Sequence, residues 1–320
     1  MSFSSDTRRE LMIKACYYYY ERELTQTKIA EMLGVSRLTL GNLLKDAKSS
    51  GIVKIEIEDT ENLTAMMKLE TALCEKFSLS SAVVADTVDN SKDVINSSIA
   101  KAGASLISRL IKSDMKISVS WGETINLMTK KLPYDSSVKN IEVVTLLGGA
   151  ATTGASVQPG MVAGALLDHY EGKGYVLNAP FVCQSELSCS SFKSESNYIS
   201  ISEKWLESDL YLVGIGEMPS LNDDYWAKDC YSQDTIKQII SCGAVGDICG
   251  SYFDRDGCKC CKDVDIRRLG IDINDLKKRK NVIALAGGEN KIISINASLK
   301  GHFIDTLVTD KNTAISLLSI

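Results

Sequence analysis

The sequence predicts an α/β protein in which a small helical domain precedes a larger domain built on a parallel sheet. Three observations support this. The chain has 320 residues, more than one hydrophobic core usually serves, so about two domains are expected. Two short helical patterns hinged at a glycine lie near the N-terminus, and strand-like runs alternate with helical patterns after residue 62. With 44% hydrophobic and 24% charged residues, the composition is that of an ordinary globular protein.

The sequence contains no apolar run long enough to cross a bilayer and no secretory signal pattern in Met1 to Glu10. A cytoplasmic protein without a membrane partner is therefore expected. Ten scattered cysteines then favour reduced thiols over disulfides. Cys258, Cys260 and Cys261 follow the turn-forming "DRDG", but they lack a second CxxC pair and the chain has two histidines, so we predict free cysteines in a surface loop and no metal site.

Charge is distributed unevenly along the chain. The net charge is -5, yet residues 1–57 hold nine Lys and Arg against seven Asp and Glu, which leaves 27 against 34 for the remainder. A positive excess confined to the N-terminal segment fits a chain of which one end meets a polyanion.

The stretch "TQTKIAEMLGVSRLTLGNLLKDA" predicts two short helices. Ile29 and Leu33 lie four apart, as do Leu40 and Leu44, so each segment buries one helical face. Gly34 can take the left-handed conformation that ends a helix, after which Ser36 can cap the next one. Two short helices joined by such a turn form a helix-turn-helix.

The outward side of the second helix carries groups that suit DNA. Arginine can bind guanine, asparagine can bind adenine, and threonine or leucine can contact a thymine methyl, while the later lysines suit phosphates. A helical hairpin used only for protein contact is the alternative. Gly41 inside this helix costs about 1 kcal/mol relative to alanine and would permit close approach to DNA. The predicted DNA-binding residues are Gln26, Ser36, Arg37, Leu38, Thr39, Asn42, Lys45 and Lys48.

Both flanks of this motif also carry patterns. "RELMIKACYYYYERE" predicts a preceding helix with Leu11, Ala15 and Tyr18 or Tyr19 facing the core. A tyrosine platform that stacks single strands is the alternative, although successive residues on a helix point to different faces. "GIVKIEIE" alternates apolar and charged residues, which predicts a half-exposed wing strand. Residues 1–57 are therefore predicted to form the DNA-binding domain, and the polar residues 58–62 a linker.

Residues 63–320 alternate strand-like runs with helical patterns, which predicts a parallel sheet covered by helices on both faces. The strand-like runs are Ala82 to Ala85, Ile117 to Ser120, Ile141 to Leu147, Leu210 to Ile215, Val282 to Ala286 and Thr306 to Thr309. The helical patterns include Val94 to Ile111, Met161 to Tyr170, Ile292 to Leu299 and Thr313 to Leu318.

Five of these runs end in small or polar residues: "SWGET", "LGGAATTG", "GIGE", "AGGENK" and "VTDKNTA". Ligands of open α/β sheets bind beyond the carboxyl ends of strands, so these turns are candidates for one shared site. The hydroxyls and N–H groups of "GGAATTG" suit a phosphate. The alternative is that the glycines serve only as turns. No complete GxGxxG and no GxxxxGK[ST] motif occurs, so we expect no nucleotide cofactor.

The segment "YYYYERELTQTKIAEMLGVSRLTLGNLLKDAKSSGIVKIEI" resembles the N-terminal domain of the sorbose-operon (SorC-type) transcriptional regulators, and the later turns together with "GAVGDICGSYFD" extend the resemblance to nearly the whole chain. Members usually have arginine where Asn42 stands and serine where Gly41 stands, so the operator sequence is expected to differ. The resemblance implies a Rossmann-like effector domain that is similar to sugar-phosphate isomerases and deaminases and binds phosphorylated sugars or related effectors.

The resemblance also implies ligand contacts. Carboxylates would accept hydrogen bonds from hydroxyls, a lysine would supply a cation, and a tryptophan an apolar face. Alternatively, Trp121 belongs to the core, Asp247 caps a turn and Asp310 caps a helix. The implied phosphate contacts are Gly149, Thr152 and Thr153, and the implied contacts to the sugar moiety are Trp121, Glu123, Asp247, Lys291 and Asp310. The predicted ligand-binding residues also include Gly122, Thr124 and Gly148.

These observations favour a transcription factor, not an enzyme, whose partners are operator DNA, a phosphorylated sugar, polyol or autoinducer-like effector, and further copies of itself in a dimer or tetramer. One alternative is a sugar-phosphate isomerase or deaminase with an accessory DNA-binding domain, in which Glu123 or Asp247 would serve as acid or base. Another is a structural DNA-binding protein without an effector, which would leave the glycine-rich turns without a purpose.

Overall fold

The computed structural model describes residues 5–55, 63–150, 158–222 and 230–320. The chain divides into two compact units, Met1–Glu61 and Asn62–Ile320. Each unit has its own hydrophobic core, so each is described by itself.

The N-terminal unit is a bundle of three helices. Helix α1 (Ser5–Cys16) continues into a π-helical turn (Tyr17–Glu21), and α2 (Gln26–Leu33) and α3 (Arg37–Ser49) follow. Apolar and small residues from all three helices form the core of this unit: Ala15, Cys16, Ile29, Ala30, Leu40, Leu44 and Ala47.

The predicted helix-turn-helix is present in α2 and α3. Thr25 caps α2 by accepting a hydrogen bond from the Lys28 N–H, and Ser36 caps α3 by accepting one from the Thr39 N–H. Gly34 has φ of 64°, the left-handed conformation that lets α2 end and the chain reverse within three residues. Ala30 is buried beside α3, where a larger side chain would push the two helices apart.

The four consecutive tyrosines divide between two environments. Tyr18 and Tyr19 pack against the core of the N-terminal unit, whereas Tyr17 and Tyr20 are exposed. The four rings therefore do not form one stacking platform. The predicted wing is not formed by the described residues: the chain from Ile52 to Ile55 contains no strand, and residues 56 and 57 lie outside the described residues.

The C-terminal unit is built on a seven-stranded sheet in which all neighbouring strands are parallel, in the order β1-β9-β8-β5-β2-β3-β4. These strands are β1 (Ser81–Ala85), β2 (Lys116–Val119), β3 (Ile141–Thr145), β4 (Gly172–Tyr175), β5 (Leu210–Gly214), β8 (Val282–Leu285) and β9 (Thr306–Asp310). Strands β6 (Gly246–Ile248) and β7 (Ser251–Phe253) form a separate antiparallel hairpin.

Helices cover the sheet. They are α4 (Leu63–Phe77), α5 (Lys92–Leu110), α6 (Glu123–Thr129), α7 (Pro159–Leu167), α8 (Glu186–Ser194), α9 (Ser196–Glu207), α10 (Gln233–Ser241), α11 (Lys262–Asp265), α12 (Ile273–Leu276), α13 (Ile292–Lys300) and α14 (Lys311–Ser319). Within the described residues, no helix has both the length and the apolar content needed to cross a bilayer.

Alternate residues of each central strand enter different cores. Tyr211 and Val213 of β5 pack in one apolar cluster, while Leu210 and Leu212 pack in another. Because successive side chains of a strand point to opposite faces, the two clusters lie on the two sides of the sheet. This explains why the central strands appear in the sequence as continuous apolar runs.

The topology has a switch point between β2 and β5. After β2 the chain adds β3 and β4 on one side, and after β5 it adds β8 and β9 on the other. The loops that follow β2 and β5 therefore diverge and leave a crevice at the carboxyl ends of these strands, the usual ligand position in such sheets.

Strand β4 was not predicted, since its sequence "GKGY" contains no apolar run. Its exposed edge position explains the missing signal. Gly172 is required there because a Cβ at this position would lie 2.2 Å from the Ile141 carbonyl oxygen. The β6-β7 hairpin was also missed, because strands of three residues are too short to show a period.

Leu40 and Leu38 offer a matched test of the N-terminal fold. Leu40 is fully buried, so Leu40→Ala should destabilise this unit by about 2–5 kcal/mol through the cavity it creates. Leu38 is 78% exposed, so Leu38→Ala should change stability by no more than about 0.5 kcal/mol. Hydrogen-exchange mass spectrometry of α2 and α3 peptides in the full chain measures both. Equal protection in the two variants would contradict this description of the core.

Candidate functional site

The outer side of α3 presents the predicted DNA-binding residues to solvent. Arg37, Leu38, Asn42, Lys45 and Lys48 are all exposed. They occupy the first, second and later turns of one helix, so bases and phosphates can be contacted together, as in known helix-turn-helix proteins.

Three other predicted DNA contacts, Gln26, Ser36 and Thr39, are partly buried or already hydrogen-bonded within the chain. The Ser36 and Thr39 hydroxyl oxygens lie 2.8 Å apart, and Ser36 also accepts the Thr39 N–H, so both hydroxyls are engaged at the start of α3. Gln26 is half-buried at the first position of α2. Gly41 has helical φ, and a Cβ there would meet no other atom within 4 Å, so packing within the chain does not require a glycine.

A cavity of about 270 Å³ lies at the switch point of the C-terminal sheet. Residues that follow β2, β5 and β8 form most of its wall, so the turns "SWGET", "GIGE" and "AGGENK" meet as predicted. Its lining comprises Lys92, Asn96, Ser120, Trp121, Gly122, Glu123, Thr124, Ile125, Gly214, Ile215, Gly216, Glu217, Asp247, Cys249, Leu285, Gly287, Asn290 and Lys291.

Asp247 is the most deeply buried acidic group of this cavity, with 3% exposure. Its Oδ2 accepts a hydrogen bond of 2.8 Å from the Gly250 N–H, whereas its buried Oδ1 has no hydrogen-bond partner among the residues that the structure describes. Burial raises the pKa of Asp247 to about 6, although the Gly250 N–H and the charges of Lys291 and Arg268 oppose the rise. An unpaired buried oxygen in a cavity is costly unless a ligand or water bonds to it.

The close approach of Gly216 fixes the position of this carboxylate. A Cβ at Gly216 would lie 1.8 Å from Asp247 Oδ1, so a side chain at residue 216 and the observed Asp247 position exclude each other. The Gly216 N–H also donates to the Asp247 carbonyl, at 2.8 Å, which ties the loop after β5 to the β6-β7 hairpin.

Lys291 supplies a positive charge to the same cavity. Its Nζ donates a hydrogen bond of 2.9 Å to the Ile215 carbonyl. Burial lowers the pKa of the Lys291 ammonium, while the negative charges of Glu217 and Asp247 act in the opposite direction. The remaining Nζ donors can bind an anionic or carbonyl oxygen of a ligand.

Two polar pairs join cavity-lining residues at the exposed rim. Lys92 Nζ lies 3.5 Å from Glu123 Oε2, and the Asn290 side-chain amide donates to Glu217. Deeper in the cavity, the Thr124 hydroxyl donates to Asn96 Oδ1 at 3.1 Å. Some residues of the lining are not among the ligand contacts predicted from the sequence: Lys92, Asn96, Glu217, Cys249 and Asn290. Glu217 and Asn290 belong to turns identified from the sequence, and Cys249 belongs to the motif "GAVGDICGSYFD".

Trp121 is half-buried, and one side of its ring packs against Phe181, with ring centroids 4.6 Å apart. Trp121 lines the cavity and also packs against the core. A ligand contact and a core position, the two alternatives from the sequence, are therefore compatible. Gly122 has φ of 143° and precedes α6, which places Glu123 and Thr124 in the first turn of that helix.

Gly148 and Gly149 do not line the cavity, contrary to the sequence-based expectation. The Gly148 N–H donates to the Leu269 carbonyl, and the Gly149 N–H donates to the Ala179 carbonyl. A Cβ at Gly148 would lie 2.4 Å from the Ala179 oxygen. These glycines therefore form a backbone junction, and their N–H groups are already used. Thr152 and Thr153 lie outside the described residues.

Asp310 also differs from the expectation, because it does not line the cavity. It is buried and caps α14 by accepting the Thr313 N–H at 3.0 Å. Its other oxygen accepts the Gly288 N–H, also at 3.0 Å. Asp310 therefore holds the Gly287–Gly288 turn that borders the cavity, and it acts as a positioning residue.

The cysteine cluster is partly buried. Cys258 is exposed, Cys260 is half-buried and Cys261 is buried, so the prediction of a surface loop is right for the first residue only. The buried Cys261 thiol lies 3.6 Å from the Ile239 carbonyl oxygen.

Comparison with known proteins agrees with this architecture. The sugar-binding domain family matches residues 61–319. The sorbitol operon regulator of Klebsiella pneumoniae is 29% identical over 99% of this chain and 100% of its own length. Its full-length crystal structure, SorC, has a TM-score of 0.75 over 98% of this chain and 100% of that chain. The chain belongs to the SorC-type family of transcriptional regulators.

Two further relatives show the range of this SorC-type family. The deoxyribonucleoside regulator of Bacillus subtilis (strain 168) is 27% identical over 98% of both chains. The transcriptional regulator LsrR of Escherichia coli (strain SMS-3-5) is 28% identical over 97% of this chain and 94% of its own. These matches span both units of the chain.

The buried carboxyl of this SorC-type chain should make stability depend on pH. An unfolded aspartate releases its proton near 3.8, and folded Asp247 near 6, so stability should fall as pH rises from about 4 to about 6. The ionised carboxylate then costs about 3 kcal/mol at pH 7. Asp247→Asn retains an acceptor for Gly250 and removes this cost, so it should unfold at higher urea concentration than wild type at pH 7 but not at pH 4.

Asp234→Asn is the control for this comparison, because the Asp234 side chain is 92% exposed. It should follow the wild-type urea midpoint at both pH values. If Asp247→Asn also follows wild type from pH 4 to pH 7, the burial described for this carboxyl does not govern its protonation.

Proposed function

We propose that this regulator binds operator DNA through α3 and that a small phosphorylated sugar, polyol or autoinducer-like effector in the cavity sets its DNA affinity. One observation supports the effector most directly: Asp247 Oδ1, a buried carboxylate oxygen that no described residue hydrogen-bonds, belongs to a cavity that also contains Lys291. Both groups have unused hydrogen-bonding capacity where a ligand would lie.

The chemistry of the lining favours a polyhydroxylated ligand. Asp247 and Glu217 can accept hydrogen bonds from hydroxyl groups, and the exposed part of Trp121 can cover an apolar face of a sugar. A volume of about 270 Å³ suits a single small molecule rather than a dinucleotide.

An anionic group of the effector is best placed beside Lys92 and Lys291. Lys92 is the first residue of α5, a helix of 19 residues whose positive dipole end faces this part of the cavity. These groups take the place of Gly148 and Gly149, whose N–H groups are already bonded. We therefore propose that the phosphate lies beside Lys92 and Lys291.

A sugar-phosphate isomerase or deaminase is the second candidate, and one observation favours it. Asp247 has a raised pKa of about 6 and Lys291 a lowered pKa in one cavity, the kind of pairing that enzymes use for proton transfer. We favour regulation without catalysis because the relatives are named as regulators over their full length. Incubating the protein with sugar phosphates and measuring isomer or ammonia release separates the two.

Base recognition and phosphate binding should be separable on α3. Asn42→Ala should cost about 1–3 kcal/mol on the preferred DNA and relax base choice, because an asparagine can bind adenine through two hydrogen bonds. Lys48→Ala should weaken all DNA alike and reduce the salt dependence by about one charge. Binding titrations on preferred and scrambled DNA at several salt concentrations measure both. An Arg37→Ala, Asn42→Ala double variant with unchanged selectivity would contradict the assignment.

Lys291 tests the effector site. Lys291→Ala removes a charged donor worth about 1.5–3 kcal/mol, so effector affinity should fall roughly 10- to 100-fold while DNA affinity without effector stays within about twofold. A thermal-shift screen with hexose, pentose and polyol phosphates identifies a binder in the wild type. Lys300→Ala, which changes an exposed lysine at the end of α13, the helix that follows Lys291, is the control.

Two results would exclude the cavity as the effector site. In the first, Lys291→Ala keeps the full thermal shift and the full effect of the effector on DNA binding. In the second, Lys291→Ala abolishes DNA binding in a protein that unfolds at the wild-type temperature. By linkage, operator DNA should alter effector affinity by the same factor as the effector alters DNA affinity.

A further inference from the structure

The outward face of α1 and its π-helical turn carries an apolar stripe between two opposite charges. Ile13, Tyr17 and Tyr20 are 49%, 51% and 40% exposed. Arg9 precedes them and Glu21 follows them, and both are exposed. We call these residues the α1 stripe: Arg9, Ile13, Tyr17, Tyr20 and Glu21.

The fold of the N-terminal unit does not use this stripe. The opposite side of the same helix supplies the core through Met12, Ala15 and Cys16, and Tyr18 and Tyr19 pack there as well. Tyr17 and Tyr20 make edge contacts to these neighbouring rings, with centroids 5.6 Å and 4.9 Å apart. Among the described residues, a large part of each of these side chains stays exposed.

The two charges at the ends of the stripe cannot neutralise each other within one chain. Twelve residues of helix separate Arg9 from Glu21, a distance of about 18 Å. Neither side chain has a hydrogen bond or ion pair to another residue in the part of the chain that the structure describes. By contrast, Glu10 and Lys14, four residues apart, pair with each other on the same helix.

The α1 stripe is self-complementary when reversed. If a second α1 lies antiparallel across the first, Arg9 of each copy meets Glu21 of the other, and Ile13 of each meets Tyr17 of the other. A two-fold axis produces this reciprocal pattern, in which the same patch serves both copies. Tyrosine edges and an isoleucine are well suited to such a contact because they bury area with little loss of side-chain freedom.

We propose that the α1 stripe is the surface through which the N-terminal units of two copies of this chain pair. The proposal rests on the proposed function, because one helix-turn-helix reads too few base pairs to locate a genomic site and two heads on two half-sites remedy this. It names the second copy as the occupant, since the stripe is complementary to itself in both charge and apolar pattern.

Photo-crosslinking in the full chain tests the contact directly. Tyr17 is replaced by p-benzoylphenylalanine, and equal amounts of unlabelled and ¹⁵N-labelled protein are mixed before irradiation. We expect a mixed-isotope product that joins residue 17 of one chain to the tryptic peptide containing Ile13 of the other. The same probe at Val88, an exposed position of the C-terminal unit, is the control and should give no such product.

Two products would overturn the proposal. A crosslink from residue 17 to residues 63–320 of any chain would mean that the C-terminal unit covers the stripe. Recovery of chains without any crosslink at residue 17, at protein concentrations where DNA is bound, would mean that the stripe stays in solvent.

Exchanging the charges of Arg9 and Glu21 gives an independent test. If these residues served only the fold of one chain, the double exchange would not restore DNA binding. Arg9→Glu alone and Glu21→Arg alone should each weaken binding to DNA with two half-sites about tenfold, because each brings like charges together. The double exchange should return to within about threefold of wild type, since it restores opposite charges across the axis. The DNA is the sequence that wild-type protein selects from a random pool.

DNA with a single half-site is the matched control, and on it all three variants should bind as wild type does. If the double exchange is as weak as the two single changes combined, Arg9 and Glu21 do not meet and the proposal is wrong. If wild-type protein selects no DNA sequence, the proposed function fails instead, and the crosslinking result still decides whether the heads pair.

Discussion

The position of the Asp247 carboxylate is the constraint on which the C-terminal site depends. One oxygen is held by the Gly250 N–H, and the other lies against Gly216 with no hydrogen-bond partner in the described part of the chain. A buried carboxylate keeps such a position only if the surrounding backbone is rigid. The β6-β7 hairpin provides this rigidity, and the loop after β5 is bonded to it.

The buried side chain of Arg268 stabilises the β6-β7 hairpin. Its guanidinium is almost completely buried, donates to the Cys249 carbonyl at 3.0 Å and to the Ile271 carbonyl at 2.8 Å, and pairs with Asp265. These contacts fix the turn between β6 and β7, in which Cys249 adopts the left-handed conformation with φ of 53°. The carboxylate therefore lies on β6, next to a turn that a buried cation helps to hold.

The fold was largely predictable because its signals are local. Central strands read as apolar runs since both faces of the sheet are covered, and the helix-turn-helix has a glycine and two caps at fixed offsets. The edge strand β4 lacks such a run, and each strand of the hairpin is too short to show a period, so no pattern could reveal them. Asp247 could be named only through the family resemblance, since nothing local separates it from any other aspartate in a turn.

The predicted site residues that do not line the cavity have one physical reason in common. Gly148, Gly149 and Asp310 were assigned to the ligand because small and acidic residues after strands are also what ligand sites use. Whether such a group is free depends on long-range partners, here Leu269 and Ala179 for the glycines and Gly288 for Asp310. Those partners lie at least 22 residues away in the chain, and no local pattern contains them.

The polar pairs at the rim of the cavity also affect how fast a small molecule can enter or leave it. Lys92–Glu123 is an exposed ion pair, and pairs of this kind contribute about 0–1 kcal/mol. If such a pair must break before a small molecule enters or leaves the cavity, the rate of that step falls by no more than about fivefold. The rim pairs therefore add little to the barrier for entry or exit, and the residence time of a bound molecule would depend on its contacts inside the cavity.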